Sequence, residues 1–112
     1  GALYAQMNIS GLLYPALGKC KKGMRLSEKV CQEAEALATA APDEKARIRA
    51  LRVAMNSYFH RIKMIIKHGD SPADIRRWLE LVGANSVYVA LKKETWATAA
   101  VKEAEDYLNG KI

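Results

Sequence analysis

Apolar residues recur every three or four positions along most of the 112-residue chain, and the alternating runs typical of strands are missing. This period predicts four helices over residues 3–19, 25–40, 43–68 and 72–94, followed by a helical tail over residues 95–109. Short connections between successive helices favour antiparallel neighbours. The sequence therefore predicts one all-α domain over residues 1–112, an antiparallel up-down-up-down four-helix bundle with a C-terminal helical tail.

The third predicted helix has the clearest pattern. Its apolar positions fall on one face, at Ile48, Leu51, Met55, Phe59, Ile62 and Ile66. Acids in its first turn suit the positive end of the helix dipole, and Gly69 suits the position after its last turn. Ser71 before Pro72 then predicts the start of the fourth helix. We expect both boundaries to lie close to these residues.

The first helix should be kinked and should end in a basic turn. The ring of Pro15 would meet the carbonyl of the residue four positions back, Gly11. The stretch KCKKGM, residues 19–24, contains glycine and three basic residues. We expect it to form the turn between the first and second helices.

The fourth predicted helix carries two apolar stripes, although a helix that faces one core needs only one. The first stripe contains Ile75, Trp78, Leu79, Val82, Ser86 and Val89, and the second contains Leu81, Ala84, Tyr88 and Leu91. One interpretation is a helix wedged between two neighbours of its own chain. The other is that the second stripe forms a subunit interface in a homo-oligomer.

Positive charge is concentrated in the second half of the chain. The whole sequence has 18 Lys and Arg against 12 Asp and Glu, a formal net charge of +6, and residues 45–93 hold eleven basic residues against three acids. Such a surface predicts an anionic partner, which could be nucleic acid, an acidic protein or a membrane. No run is long and apolar enough for a membrane span.

The basic residues of the third helix form a stripe. At 100° per residue, the stripe occupies a sector of about 80° of the helix surface and about 27 Å of its length. Its residues are Arg49, Arg52, Asn56, His60, Lys63 and Lys67. Solvated helix faces usually mix charges of both signs, but no acid occurs between Lys45 and His68. The stripe therefore indicates a counter-charge from outside, for which phosphates are the obvious candidate. Lys21, Lys22 and Arg25 form a second basic cluster.

No catalytic or cofactor-binding pattern can be assembled from the sequence. His60 and His68 are two turns apart without a carboxylate partner on their face, and no Glu-x-x-His occurs. The stretch GKCKKG lacks the Lys-Ser/Thr ending of a phosphate loop. Cys20 and Cys31 match neither redox nor zinc spacing. We expect a non-enzymatic, cytoplasmic protein with free thiols and without a metal or cofactor.

The stretch LLYPALGKCKKGMRLSEKVCQEAEALATAA, residues 12–41, resembles part of a known family of small four-helix proteins. The family includes the accessory variability determinant of diversity-generating retroelements and the proteins encoded by intervening sequences in bacterial ribosomal RNA genes. The resemblance rests on the LYP of residues 13–15, the basic turn with Lys22 and Arg25, and the Val82-Gly83 step. It covers roughly residues 4–93.

The resemblance implies a basic homopentamer that associates with a reverse transcriptase and its template RNA as a non-catalytic partner in mutagenic copying. The residues expected to contact the phosphates of RNA or DNA are Lys21, Lys22, Arg25, Arg49, Arg52, Lys63 and Lys67. Two alternatives share the fold. One is a protein adaptor whose basic face docks an acidic partner, and the other is a ribosomal-RNA intervening-sequence protein with an unknown partner.

Overall fold

The computed structural model describes residues 2–68, 72–91 and 93–110, and all regular structure within these ranges is helical, which confirms the all-α prediction. The elements are α1 (Ala2–Asn8), a π-helical turn (Ile9–Leu13), α2 (Tyr14–Ala16), α3 (Cys20–Thr39), α4 (Glu44–His68), α5 (Pro72–Ala84), α6 (Ser86–Leu91) and α7 (Thr95–Leu108). Gly69 and Ser71, the predicted boundary residues, lie outside the described residues. None of the described helices is both long and apolar enough to cross a membrane.

The N-terminal helical segment, residues 2–16, contains a π-helical turn just before Pro15. The Tyr14 N–H donates to the Ile9 carbonyl, five residues back, where an α-helix would reach four residues back. Proline removes one backbone donor and its ring crowds the carbonyl of Gly11. A wider turn is one of the known ways in which a helix accommodates such an interruption, so the helix is interrupted here by a π-helical turn.

The N-terminal helical segment ends at Ala16, Gly18 follows its C-cap, and most of the basic stretch after it is already helical. Gly18 adopts φ +73°, and its N–H donates to Pro15 O at 3.1 Å while Lys19 N–H donates to Tyr14 O at 2.7 Å. These two bonds form a Schellman motif, in which glycine tolerates the left-handed conformation. The predicted turn over residues 19–24 is therefore wrong, because α3 begins at Cys20.

α4 is the central element of the core. Met55, Phe59 and Ile62 are buried as predicted, but Tyr58 and Ile65 on adjoining faces are buried as well. The reason is that α4 contacts the N-terminal segment, α3, α5, α6 and α7. At the start of α4 the Asp43 carboxylate accepts the Ala46 N–H at 2.8 Å, so this acid caps the helix.

The fourth predicted helix is broken at Asn85, which lies between α5 and α6. Its buried side chain accepts the N–H of Val87 at 2.9 Å and of Tyr88 at 3.3 Å, and donates to the Leu51 carbonyl of α4 at 3.0 Å. Because Asn85 caps α6 and ties it to α4, the helical phase changes there. Val87 is consequently buried, whereas Val89, predicted for the core, is exposed.

Candidate nucleic-acid interface

The seven predicted phosphate contacts are all exposed, on α3 and α4. Ion pairs within the described residues join Lys29 to Glu33, Arg47 to Glu44, and Lys102 to Asp106. None of the seven takes part in these pairs. Their charges therefore face solvent without an acidic partner among the described side chains.

Lys21, Lys22 and Arg25 line a basic groove between the start of α3 and the end of α4. The groove has a volume of about 870 Å³, and the residues that line it are Gly18, Lys19, Cys20, Lys21, Lys22, Met24, Arg25, Met64 and His68. No acid belongs to this described lining. The Lys22 ammonium lies 5.1 Å from the centre of the Tyr14 ring, a cation–π distance that helps to hold the side chain at the rim.

Lys63 and Lys67 extend the positive charge from this groove along α4. Lys67 is one turn from Met64 and adjacent to His68, both of which line the groove, and Lys63 is one further turn back. Three of the seven predicted residues thus line the groove, and Lys63 and Lys67 lie outside its lining, near the same end of α4. Exposed ammonium and guanidinium groups without acidic partners can bind the phosphates of a nucleic acid backbone.

Arg49 and Arg52 lie elsewhere, beside an apolar groove at the other end of α4. They are separated from Met64 and His68 by about 20 Å of helix. The predicted stripe is therefore interrupted. Helical spacing places residues on one face but does not show which neighbouring element covers the middle of that face.

The middle of the stripe is covered by the N-terminal helical segment. His60 is half-buried against Gly11, where an added Cβ would lie 1.9 Å from the His60 Nδ1 atom. Glycine is the residue that allows this approach. Burial lowers the pKa of His60, and the nearby Lys63 lowers it further, while a hydrogen bond with the Met7 backbone raises it. His60 thus serves packing rather than phosphate binding.

We expect His60 to make folding acid-sensitive. Its ordinary pKa is 6.5 and its folded pKa is lower, so between these values the unfolded chain binds the extra proton. The free energy of unfolding should therefore fall as pH decreases below about 6.5. Denaturant unfolding at pH 5 to 7 should show a shallower pH dependence in His60→Gln, with His68→Gln as the matched control. A profile unchanged by His60→Gln would contradict this assignment.

Arg61 is a basic residue with a structural role that the sequence analysis missed. Arg61 is 8% exposed, and its guanidinium donates to the Met24 carbonyl at 2.7 Å and lies 4.4 Å from the centre of the Trp78 ring. Arg77 approaches the same ring at 5.0 Å, and Tyr58 stacks on it with 5.6 Å between centroids. The available signal was the spacing of Tyr58, Arg61 and Ile65, which share the side of α4 that packs away from the stripe.

The two cysteines differ in accessibility. Cys20 is half-buried and lines the basic groove, whereas Cys31 is buried in the core. Burial raises the pKa of the Cys31 thiol to about 11, although the Arg61 charge opposes this. Since the thiolate is the reactive form, Cys31 stays inert near neutral pH. Cys20 is therefore a selective reporter of the groove.

The predicted subunit interface is partly used within the chain. Leu81, Tyr88 and Leu91 pack against the core while Ala84 is exposed. The Tyr88 ring meets Phe59 edge to face at 6.3 Å between centroids. These contacts favour the interpretation that neighbours of the same chain cover most of this stripe.

The described residues contain no group of three or more His, Cys, Asp or Glu side chains placed to hold a metal ion. Comparison of the sequence and structure with protein-family models, curated proteins and solved structures found no match.

Proposed function

We propose that this protein is a non-catalytic accessory protein that binds nucleic acid through its phosphates. The observation that carries the proposal is the basic groove, in which Lys21, Lys22 and Arg25 converge with the end of α4 and no described acid lines the surface. A groove with one sign of charge raises the local concentration of an anionic ligand. Backbone neutralisation of this kind gives binding with little sequence preference.

The family resemblance makes template RNA the proposed nucleic acid and a reverse transcriptase the proposed protein partner. In this proposal α3, α4, α5 with α6, and the N-terminal segment form the up-down-up-down four-helix bundle. Contacts of opposite residue order between α3 and α4, such as Met24 with Arg61 and Glu35 with Tyr58, support that arrangement. Assembly as a homopentamer is the further expectation of the resemblance, and light scattering would measure it directly.

Charge reversal in the groove tests the proposal. We expect Lys22→Glu with Arg25→Glu to weaken binding of a single-stranded RNA on the order of tenfold, and to reduce the slope of log affinity against log salt by about 1.4. The physical reason is the loss of about two phosphate contacts. Fluorescence anisotropy of a labelled RNA across a salt series measures both quantities.

The matched control reverses two lysines outside the groove, Lys29→Glu with Lys102→Glu, and produces the same net charge. Equal weakening in the control would show that net charge, and not the groove, determines binding. A second readout uses Cys20, whose reaction with a maleimide should slow when RNA occupies the groove. Unchanged labelling of Cys20 at saturating RNA would contradict the proposed site.

A further inference from the structure

The apolar groove at the start of α4 is separate from the basic groove. It has a volume of about 470 Å³ and is lined by Leu3, Tyr4, Leu37, Ala40, Ala41, Pro42, Ala46, Arg49, Ala50, Arg52 and Val53. Tyr4 and Leu37 in this lining are about half exposed. Four alanines also belong to the lining, and such small side chains allow another helix to approach closely.

Arg49 and Arg52 are the only charged residues in the described lining of this groove. They are three positions apart on α4 and therefore lie on neighbouring points of one side of the helix. Neither forms an ion pair with a described residue. The groove thus combines apolar walls with two guanidinium groups that are available to a carboxylate ligand.

From this combination we propose that the apolar groove binds an amphipathic helix of a partner protein, with acidic residues beside its apolar stripe. Apolar side chains of that helix would lie between Tyr4 and Leu37, and its carboxylates would pair with Arg49 and Arg52. Apolar anchors at positions i, i+3, i+4 and i+7 are the usual means by which a helix binds in a groove. The site goes beyond nucleic-acid binding and does not depend on it.

The experiment uses a synthetic helical peptide of about 14 residues, with leucines at i, i+3, i+4 and i+7 and glutamates on both flanks. A lysine-flanked version and a scrambled version are compared with it by fluorescence anisotropy. We expect the glutamate peptide to bind at least tenfold more tightly than either. Arg49→Glu with Arg52→Glu should reverse the preference in favour of the lysine peptide.

Leu37→Asp tests the apolar wall, and Leu12→Asp is its control. The two leucines are 55% and 58% exposed, but only Leu37 lines the groove. We expect Leu37→Asp to weaken binding of the glutamate peptide about tenfold and Leu12→Asp to leave it unchanged. RNA affinity should stay at the wild-type value in Leu37→Asp, which separates this proposal from the basic groove.

Several results would overturn the proposal. Failure of the glutamate peptide to bind, or equal binding of all three peptides, would remove its basis. Self-association that is lost in Leu37→Asp would identify a second copy as the occupant, and displacement of the peptide by dodecanoate at lower concentration would identify a small amphiphile. RNA binding reduced as strongly by reversal of Arg49 and Arg52 as by reversal of Lys22 and Arg25 would assign this pair to nucleic acid.

Discussion

Replacement of Trp78 by alanine is expected to lower the free energy of unfolding by about 3–5 kcal/mol. The Trp78 side chain is 4% exposed and packs between α4 and α5, with Tyr58 stacked on its ring and the Arg61 guanidinium 4.4 Å from its centre. Alanine would leave a cavity and would remove the π surface that faces a buried charge. A loss of this size is a large part of the stability of a small domain.

Chemical denaturation measures the change, and Trp96→Ala provides the control. Trp96 is 49% exposed and touches Phe59 only edge to face, at 5.9 Å between centroids. We expect Trp96→Ala to lower stability by no more than about 1.5 kcal/mol. Trp78→Phe should recover part of the loss because it keeps an aromatic ring beside Arg61. Equal effects of the two alanine variants would contradict the central position assigned to Trp78.

Helical periodicity was sufficient to predict the all-α class and the long helix α4, because apolar residues repeat there on one face from Ile48 to Ile66, over about five turns. The break at Asn85 escaped the same argument. Apolar residues continue at helical spacing on both sides of Asn85, and only the capping preference of asparagine signals a new start. Helical periodicity therefore predicted the existence of these helices more reliably than the residues at which they begin and end.

The candidate sites were predicted only in part for a related reason. Exposure of Lys22 or Arg52 follows from a charged side chain on a helix, but the grooves beside them are formed by residues distant in sequence. The two ends of the stripe consequently belong to different surfaces. Arg61 is a basic residue that is buried instead of exposed. Its burial depends on the Met24 carbonyl and the Trp78 ring, which belong to other helices and cannot be predicted from the pattern of α4 alone.

Glycines were similarly ambiguous in the sequence, and their surroundings give them opposite expected effects. A Cβ added at Gly23 in α3 would lie 2.5 Å from the Ser10 carbonyl oxygen of the N-terminal segment. This oxygen belongs to the backbone and cannot rotate away. At Gly83, near the end of α5, an added Cβ would meet nothing within 4 Å. Gly23 therefore permits close contact between α3 and the N-terminal segment, whereas Gly83 has no neighbour that requires a glycine.

We expect Gly23→Ala to lower the free energy of unfolding by about 1–3 kcal/mol, even though alanine is the better helix former by about 1 kcal/mol. The physical reason is that the added Cβ would push the N-terminal segment away from α3. Gly83→Ala should instead raise stability by about 0.5–1 kcal/mol, because only helix propensity changes there. Urea unfolding followed by circular dichroism, with an unchanged m value in both variants, measures the difference. Stabilisation by Gly23→Ala would show that the segment can move from α3 without loss, and the contact that sets their spacing would then lie elsewhere.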